Sequence, residues 1–277
     1  MSSLNRRQFI QTCATAALSS VAVASTSALA DEPLKPKRRI LAIGGGGTRA
    51  SDRDRLMLKY IISLTGKKDP LVCLLPTASA DNPESIVTWY ENTNDLECRA
   101  RHMRLINNST NLKSLEKQLL SMDAFYVGGG NTLNMLAIWK AQGVDTILRK
   151  AWEQGTVMAG SSAGMICWFE QGVSDSLPER LSSVESLGFL KGSVCPHYNH
   201  RDRDGRRDRQ ESFHRLLLAG DIKDGIACDD GAALLYEDDK LVRIVGENPF
   251  ARACCVRRDG QKVIEDPQAV EFLGKKF

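Results

Sequence analysis

Three short apolar runs in this chain each end in glycine. Arg39-Ile40-Leu41-Ala42-Ile43 stops at Gly44-Gly45-Gly46-Gly47, Ala124–Val127 stops at Gly128-Gly129-Gly130, and Val157-Met158-Ala159 stops at Gly160. A fourth run, Leu71–Leu75, stops at Pro76. Apolar runs this short, bounded by turn residues, read as buried strands. Between them apolar residues recur at helical spacing: Leu56, Tyr60, Ile61 and Leu64, then Leu112, Leu115, Leu119 and Leu120, then residues 133–142 and 144–154. Strands alternating with helices of this length predict an α/β fold, a mostly parallel sheet flanked by helices. The final third differs. Runs at 232–236, 241–245 and 253–256 are separated by Asp238-Asp239 and Asn248-Pro249, with Asp259-Gly260 after the last. They are expected to be antiparallel strands added toward the C-terminus, extending one edge of the sheet. No internal repeat or low-complexity linker interrupts residues 31–277, which read as a single domain.

Residues 1–30 stand apart. Arg6 and Arg7 are their only charges, an Ala/Ser/Val/Thr-rich run follows, and Ala28-Leu29-Ala30 precedes Asp31. A charged start, an apolar middle and an A-x-A end describe a cleaved export signal. Asn5-Arg6-Arg7-Gln8-Phe9-Ile10-Gln11 resembles a twin-arginine signal, although Ser/Thr before the arginines and Lys after the apolar pair are missing. The mature protein is therefore expected in the periplasm or outside the cell, delivered by the twin-arginine export machinery. Loss of the two arginines takes the formal charge from +3 to +1. So balanced a chain has no global bias toward nucleic acid or an anionic surface. No apolar run reaches the roughly 18 residues of a membrane helix, so no insertion of the mature chain is expected.

Of eight cysteines, Cys13 lies in the signal. The remaining seven are odd in number and include no CxxC pair, so neither a disulfide framework nor a metal site is indicated. Several flank apolar strand-like runs, where a free thiol acts as a small core hydrophobe.

Two of the glycine runs invite a chemical reading. Gly44 to Gly47 follows a strand, but a G-x-G-x-x-G dinucleotide turn needs glycine where Arg49 stands. A tight turn at a strand end is the better description. Gly160-Ser161-Ser162-Ala163-Gly164 meets the G-x-S-x-G spacing of a nucleophile elbow, and only with Ser162 at its centre. Small residues on both sides let the backbone turn sharply from strand to helix and project the central hydroxyl. Residues 165–170 after it are expected to be helical.

A serine nucleophile needs a base. Among the four histidines, His102 sits in a polar–apolar alternation and His214 on a predicted helix beside Phe213, Leu216 and Leu217. His197 follows the run Gly192-Ser193-Val194-Cys195-Pro196, with His200 three residues on. His197 stands at a predicted strand end, where reactive residues of α/β sheets gather, and His200 in a charged loop. Asp229 and Asp230 close another run and are both candidates for the acid that orients the imidazole. The order serine, histidine, acid disfavours the α/β-hydrolase arrangement, whose acid precedes its histidine.

Taken together, Tyr126-Val127-Gly128-Gly129-Gly130-Asn131-Thr132, Gly160-Ser161-Ser162-Ala163-Gly164, Pro196-His197-Tyr198 and Asp229-Asp230-Gly231 resemble the dipeptidase E/cyanophycinase family of serine peptidases. The resemblance implies a fold like the class I glutamine amidotransferases, with serine in place of the elbow cysteine. It implies Ser162 as nucleophile, His197 as base and Asp230 as acid, one methylene shorter than the family's glutamate. It further implies an oxyanion hole from the backbone N–H groups of Gly130 and Ala163. Arg209, closing the charged segment Arg201 to Arg209, and Asn131 are the residues it would place on substrate. The expected activity is hydrolysis of short peptides after an N-terminal aspartyl residue, through an acyl-enzyme, with neither metal nor organic cofactor. A hydrolase of β-aspartyl peptides, a small esterase and a non-catalytic binding protein are the alternatives.

Overall fold

A computed structural model describes residues 36–46, 54–106, 110–205 and 208–274. Residues 1–30, read above as an export signal, Gly47-Thr48-Arg49 and Arg206-Arg207 lie outside the described residues. Strands β1 (Arg39–Ile43), β2 (Leu71–Leu75), β3 (Arg99–His102), β4 (Ala124–Val127) and β5 (Val157–Ser161) alternate with helices α1 (Asp54–Leu64), α2 (Pro83–Thr93), α3 (Leu112–Leu120), α4 (Thr132–Gln142) and α5 (Val144–Glu153). A four-residue helix α6 (Ala163–Ile166) follows β5. Then come β6 (Phe169–Ser174), β7 (Ser182–Glu185), β8 (Leu190–Cys195), α7 (Asp208–Ala219) and β9 (Gly225–Cys228). The chain closes with β10 (Ala232–Glu237), β11 (Lys240–Gly246), β12 (Ala253–Asp259), β13 (Lys262–Gln268) and β14 (Glu271–Phe272).

Local chemistry explains several boundaries. Asn82 accepts hydrogen bonds from the amides of Glu84 and Ser85 at the start of α2, with Pro83 fixing the first helical residue. Asn111 and Asn131 cap α3 and α4 in the same way. Gly143, at φ +70°, closes α4 and opens α5, a conformation glycine adopts without steric cost.

The first sheet has the order β14-β11-β10-β1-β5-β4-β2-β3, and β1, β5, β4, β2 and β3 are mutually parallel. Its strands alternate by single residues between two cores. Ile40, Ala42, Cys73, Leu75, Phe125, Val127 and Met158 face one, with α3, α4 and α5. Leu41, Ile43, Val72, Leu74, Ala124, Tyr126, Val157 and Ala159 face the other, with α1 and α2. Burial on both faces is why these runs are apolar throughout rather than alternating. The edge strand β3 carries Arg99 and Arg101, exposed charges that discourage pairing with another chain.

Two expectations are corrected. Strands β10 and β11 extend the first sheet antiparallel, as expected, but β12 does not join them. It pairs with β9 in a second, six-stranded sheet of order β13-β12-β9-β8-β6-β7. The chain crosses from one sheet to the other between β11 and β12, at the Asn248-Pro249 turn. The segment 165–170 is not a continuous helix either. Leu187 and Leu190 donate to the carbonyls of Cys167 and Trp168, and Phe169 pairs with Leu190. Long-range pairing of a buried aromatic pair overrides the local helical spacing.

Among the described residues no helix is long and apolar enough to cross a membrane. All seven described cysteines are free, and Cys73, Cys167, Cys195, Cys228 and Cys254 are buried. Burial pushes the Cys73 and Cys254 thiols up to about 12, and those of Cys167, Cys195 and Cys228 upward as well. Thiols held protonated and out of solvent react slowly. Alkylation of the folded chain should therefore modify Cys98 and Cys255, both of intermediate exposure, before the five buried positions. Peptide mass mapping reads the order, and early modification of the buried five would contradict the packing.

Candidate active site

The elbow serine sits where β5 breaks. Ser162 has φ 59° and ψ −112°, a conformation side-chain-bearing residues rarely adopt. Its amide donates to the Ile43 carbonyl at 3.2 Å, which fixes the turn against β1. The flanking glycines are required by space. A Cβ at Gly160 would overlap the Gly164 backbone, and one at Gly164 would overlap the Val127 carbonyl. Ser161, one residue earlier, is buried in β5. The spacing that singled out Ser162 thus reflects two backbone contacts.

His197 follows β8 and has φ 55°. Its amide donates to the Gly44 carbonyl at 2.9 Å. Its Nε2 lies 2.8 Å from Ser162 Oγ, and its Nδ1 lies 2.6 Å from Asp230 Oδ1. The neutral tautomer with the proton on Nδ1 donates to Asp230 and accepts from the serine. Asp230 stands just after β9, where the chain leaves the second sheet for β10 of the first. Its amide donates to Asn199 Oδ1 at 2.9 Å. Asp229 points elsewhere: it is buried and its carboxylate takes the Arg252 guanidinium at 2.9 Å. Of the two adjacent acids, Asp230 meets the histidine.

Gly44 to Gly46 have a role that a tight turn does not describe. A Cβ at Gly45 would fall on Asp230 Oδ1 and His197 Nδ1, and one at Gly44 would lie 2.5 Å from the Asp229 carbonyl. The Gly45 carbonyl accepts from the Gly231 amide at 2.9 Å. The end of β1 is therefore the floor on which the histidine–aspartate pair lies. Glycine is needed there for close approach rather than for a left-handed backbone, because the positive φ in this run belongs to Gly46.

On the other side of Ser162, a Cβ at Gly129 would lie 3.2 Å from Ser162 Cβ and 3.6 Å from its Oγ. The peptide from Gly129 to Gly130 consequently runs past the hydroxyl. Gly130 has φ 137°, and a Cβ there would overlap the Ala78 carbonyl. Ala163 is the first residue of α6, so its N–H has no acceptor within the helix.

The two residues expected on substrate hold protein groups. Asn131 Oδ1 caps α4 through the Asn134 amide at 2.9 Å, and Nδ2 donates to the Ser176 carbonyl at 3.1 Å. Arg209 is buried in α7, its guanidinium donating to Asp175 at 2.7 Å and to the Val173 carbonyl at 3.3 Å. It lines a separate recess with Asp175, His200 and Asp208, not the one that holds Ser162. His200 pairs with Asp208 at 2.8 Å and takes no part in the Ser162 constellation.

Asn199 and Tyr198 were not singled out by spacing. Burial first, and then the Glu265 carboxylate, push the Tyr198 hydroxyl upward in pKa, so it stays a neutral donor. Glu265 accepts from Tyr198 at 2.5 Å, His214 at 2.6 Å and Gln210 at 2.7 Å. Burial alone would raise the Glu265 carboxyl, but these three hydrogen bonds outweigh it and hold it below its usual range. The network ties the residue after His197 to β13 and α7.

The chain is similar to a known protein family and to known proteins. The profile of Peptidase family S51 matches residues 40–244. The "Uncharacterized peptidase YgaJ" of Bacillus subtilis (strain 168) is 41% identical over 237 residues, covering 86% of this chain and 100% of that protein. The crystal structure of a peptidase from an acI-B1 Actinobacterium superposes with a TM-score of 0.62 at 16% identity, covering 83% of this chain and 97% of that one. A putative peptidase E protein from Listeria monocytogenes EGD-e superposes at 0.53 and 16% identity, covering 84% and 100%. At that identity the two structures speak for the fold.

Replacing Gly45 by alanine should therefore displace the His197–Asp230 pair without touching the serine. A misplacement of about 1 Å lowers turnover by roughly 10²-fold. The measurement is kcat/KM for any cleaved peptide, alongside a thermal melt. Wild-type turnover in a folded Gly45→Ala protein would show that the glycine floor is not needed.

Proposed function

The chain belongs to Peptidase family S51 and is a serine-type peptidase, and we propose that it cleaves short peptides through an acyl-enzyme formed on Ser162. One observation carries this reading: the hydrogen-bonded sequence Ser162 Oγ–His197 Nε2 at 2.8 Å and His197 Nδ1–Asp230 Oδ1 at 2.6 Å. As Ser162 Oγ attacks the peptide carbonyl, its proton passes to His197 Nε2. Asp230 holds the imidazole in the required tautomer and stabilises the imidazolium. The negative charge on the former carbonyl oxygen is met by the N–H groups of Gly130 and Ala163. Collapse breaks the C–N bond, His197 protonates the leaving amine, and water then hydrolyses the ester by the same steps in reverse roles.

The cavity whose wall contains Ser162 and His197 measures about 320 Å³, near the lower end of the roughly 300–1,000 Å³ usual for small-ligand pockets. That size favours short substrates over folded chains. The acidic specificity implied by the resemblance depended on a free arginine, and Arg209 is engaged with Asp175.

The triad reading is tested on the two adjacent acids. Asp230→Asn preserves size but favours the wrong imidazole tautomer, and should lower kcat by roughly 10²- to 10³-fold. Asp229→Asn weakens the pair with Arg252, and should change kcat by less than about tenfold while costing about 1–3 kcal/mol of stability. Steady-state kinetics and denaturant titration of both variants separate the effects. Normal turnover in Asp230→Asn would remove the acid from the mechanism.

We further propose export by the twin-arginine route, supported by Arg6 and Arg7 before an apolar run and Ala28-Leu29-Ala30. Residues 1–31 fused to a reporter that folds in the cytoplasm should carry it across the membrane. Lysine at both positions 6 and 7 should retain it inside. Undiminished export of the double-lysine fusion would assign the general secretory route instead.

A further inference from the structure

We propose that the recess beside Ser162 selects an uncharged, apolar side chain, aromatic or large aliphatic, on the residue whose carbonyl is attacked. The inference rests on the serine-peptidase reading above and adds its substrate class. The recess is lined by Leu74, Pro76, Ser79, Ser85, Trp89 and Tyr126, besides Ser161, Ser162, His197 and the glycines of the site itself. Trp89 and Tyr126 stack with ring centroids 5.6 Å apart at 11°, and only 2% and 6% of their surfaces are exposed. The wall is therefore rigid, built before any ligand arrives.

Sheet order says which part of a substrate enters. Ser162 follows β5, while Gly129 and Tyr126 belong to β4 and its end, and Leu74 and Pro76 to β2 and its end. In the sheet these strands lie successively to one side of β5, and β1 lies to the other. His197 and Asp230 rest on the end of β1. The leaving amine must be near His197, because that residue protonates it. His197 and Gly46 line the near end of the same recess, so the acyl side of the substrate is directed the opposite way, over Gly129 and into the part lined by Leu74, Pro76 and Tyr126.

The chemistry of the wall then decides the side chain. Among the described lining residues, His197 and the Tyr126 phenol are the titratable groups, and none is a lysine, an arginine or a carboxylate. A carboxylate placed there would leave water for a wall whose described residues offer no cation to pair with it. Burying an unpaired charge is strongly unfavourable. A phenylalanine or leucine side chain instead gains contact with Leu74, Pro76 and the indole. Arg209, which would favour an acid, is buried elsewhere against Asp175 and the Val173 carbonyl.

The test is kcat/KM for the full chain on matched peptides that differ only before the scissile bond, carrying Phe, Leu or Asp there. Phe and Leu should exceed Asp by roughly 10²-fold or more. Ser85, half-buried near the start of α2 in the recess wall, supplies the converse. Ser85→Arg should raise Asp relative to Phe by at least about tenfold, through a charge-assisted pair with the substrate carboxylate. Ser162→Ala is the control for both. Ser162-dependent cleavage that favours Asp in the native chain overturns the proposal and leaves the peptidase reading intact. An unchanged Asp-to-Phe ratio in folded Ser85→Arg also overturns it, by showing that the side chain lies elsewhere. Failure to cleave any peptide, or cleavage surviving in Ser162→Ala, defeats the peptidase reading and this inference with it.

Discussion

Everything at this site depends on how closely three stretches of backbone can pass. The end of β1 runs beneath the His197–Asp230 pair with no room for a Cβ at Gly45. The elbow closes only because Gly160 and Gly164 meet backbone rather than side chain. Both contacts lie at the C-terminal edge of parallel strands, where an open α/β sheet gathers its reactive groups. The two sheets add a second constraint. The chain passes from the first to the second just after Ser162, and returns to the first just after Asp230. Two of the three reacting side chains thus sit on crossings between sheets, and His197 ends a strand that pairs with one of them.

The backbone at Ser162 and at His197 is strained, and the surroundings hold the strain. Ser162 and His197 both have φ near +55 to +60°, an arrangement costing on the order of 1–3 kcal/mol each. Ser162 is held by the Ile43 carbonyl, and His197 by that of Gly44. The Tyr198 amide donates to the Cys228 carbonyl at 2.9 Å, and its hydroxyl is fixed by Glu265. Geometry that local preference would not supply is thereby imposed from β1, β9 and β13 together. A serine and histidine held 2.8 Å apart need little reorganisation before reaction.

How much of this was legible in the sequence depended on how local the controlling contact was. The elbow was, because Gly160 and Gly164 are each excluded from bearing a side chain by neighbours that any such turn brings close. The parallel strands were, because burial on both faces leaves unbroken apolar runs. The second sheet was not. Its first strand begins at Phe169 inside a segment with helical spacing, and the residues that claim its backbone are Leu187 and Leu190. Gly45 was visible as a glycine but not as a floor, since what lies above it comes from positions 197 and 230. Asn131 and Arg209 show the same limit. Their side-chain types suit a polar ligand, yet the groups they hold belong to Ser176 and Asp175, over thirty residues away in sequence.

That separation has a consequence for how such a site can change. The reacting groups are positioned by backbone approach and by hydrogen bonds to main chain, so almost any substitution there disturbs geometry. The recess toward β2 and α2 is built from side chains, several of them on the surface of α2 or in the loop after β2, and Ser85 touches neither His197 nor Asp230 by any hydrogen bond of its own side chain. Charge can be introduced at that wall without moving the elbow. The acidic residue that a cation would hold and the apolar residue that a bare wall would hold differ by a desolvation term, not by a change in the bond-breaking steps. One arrangement of serine, histidine and aspartate is therefore compatible with opposite side-chain preferences, and the preference is decided by the few residues facing Ser162 from the β4 side.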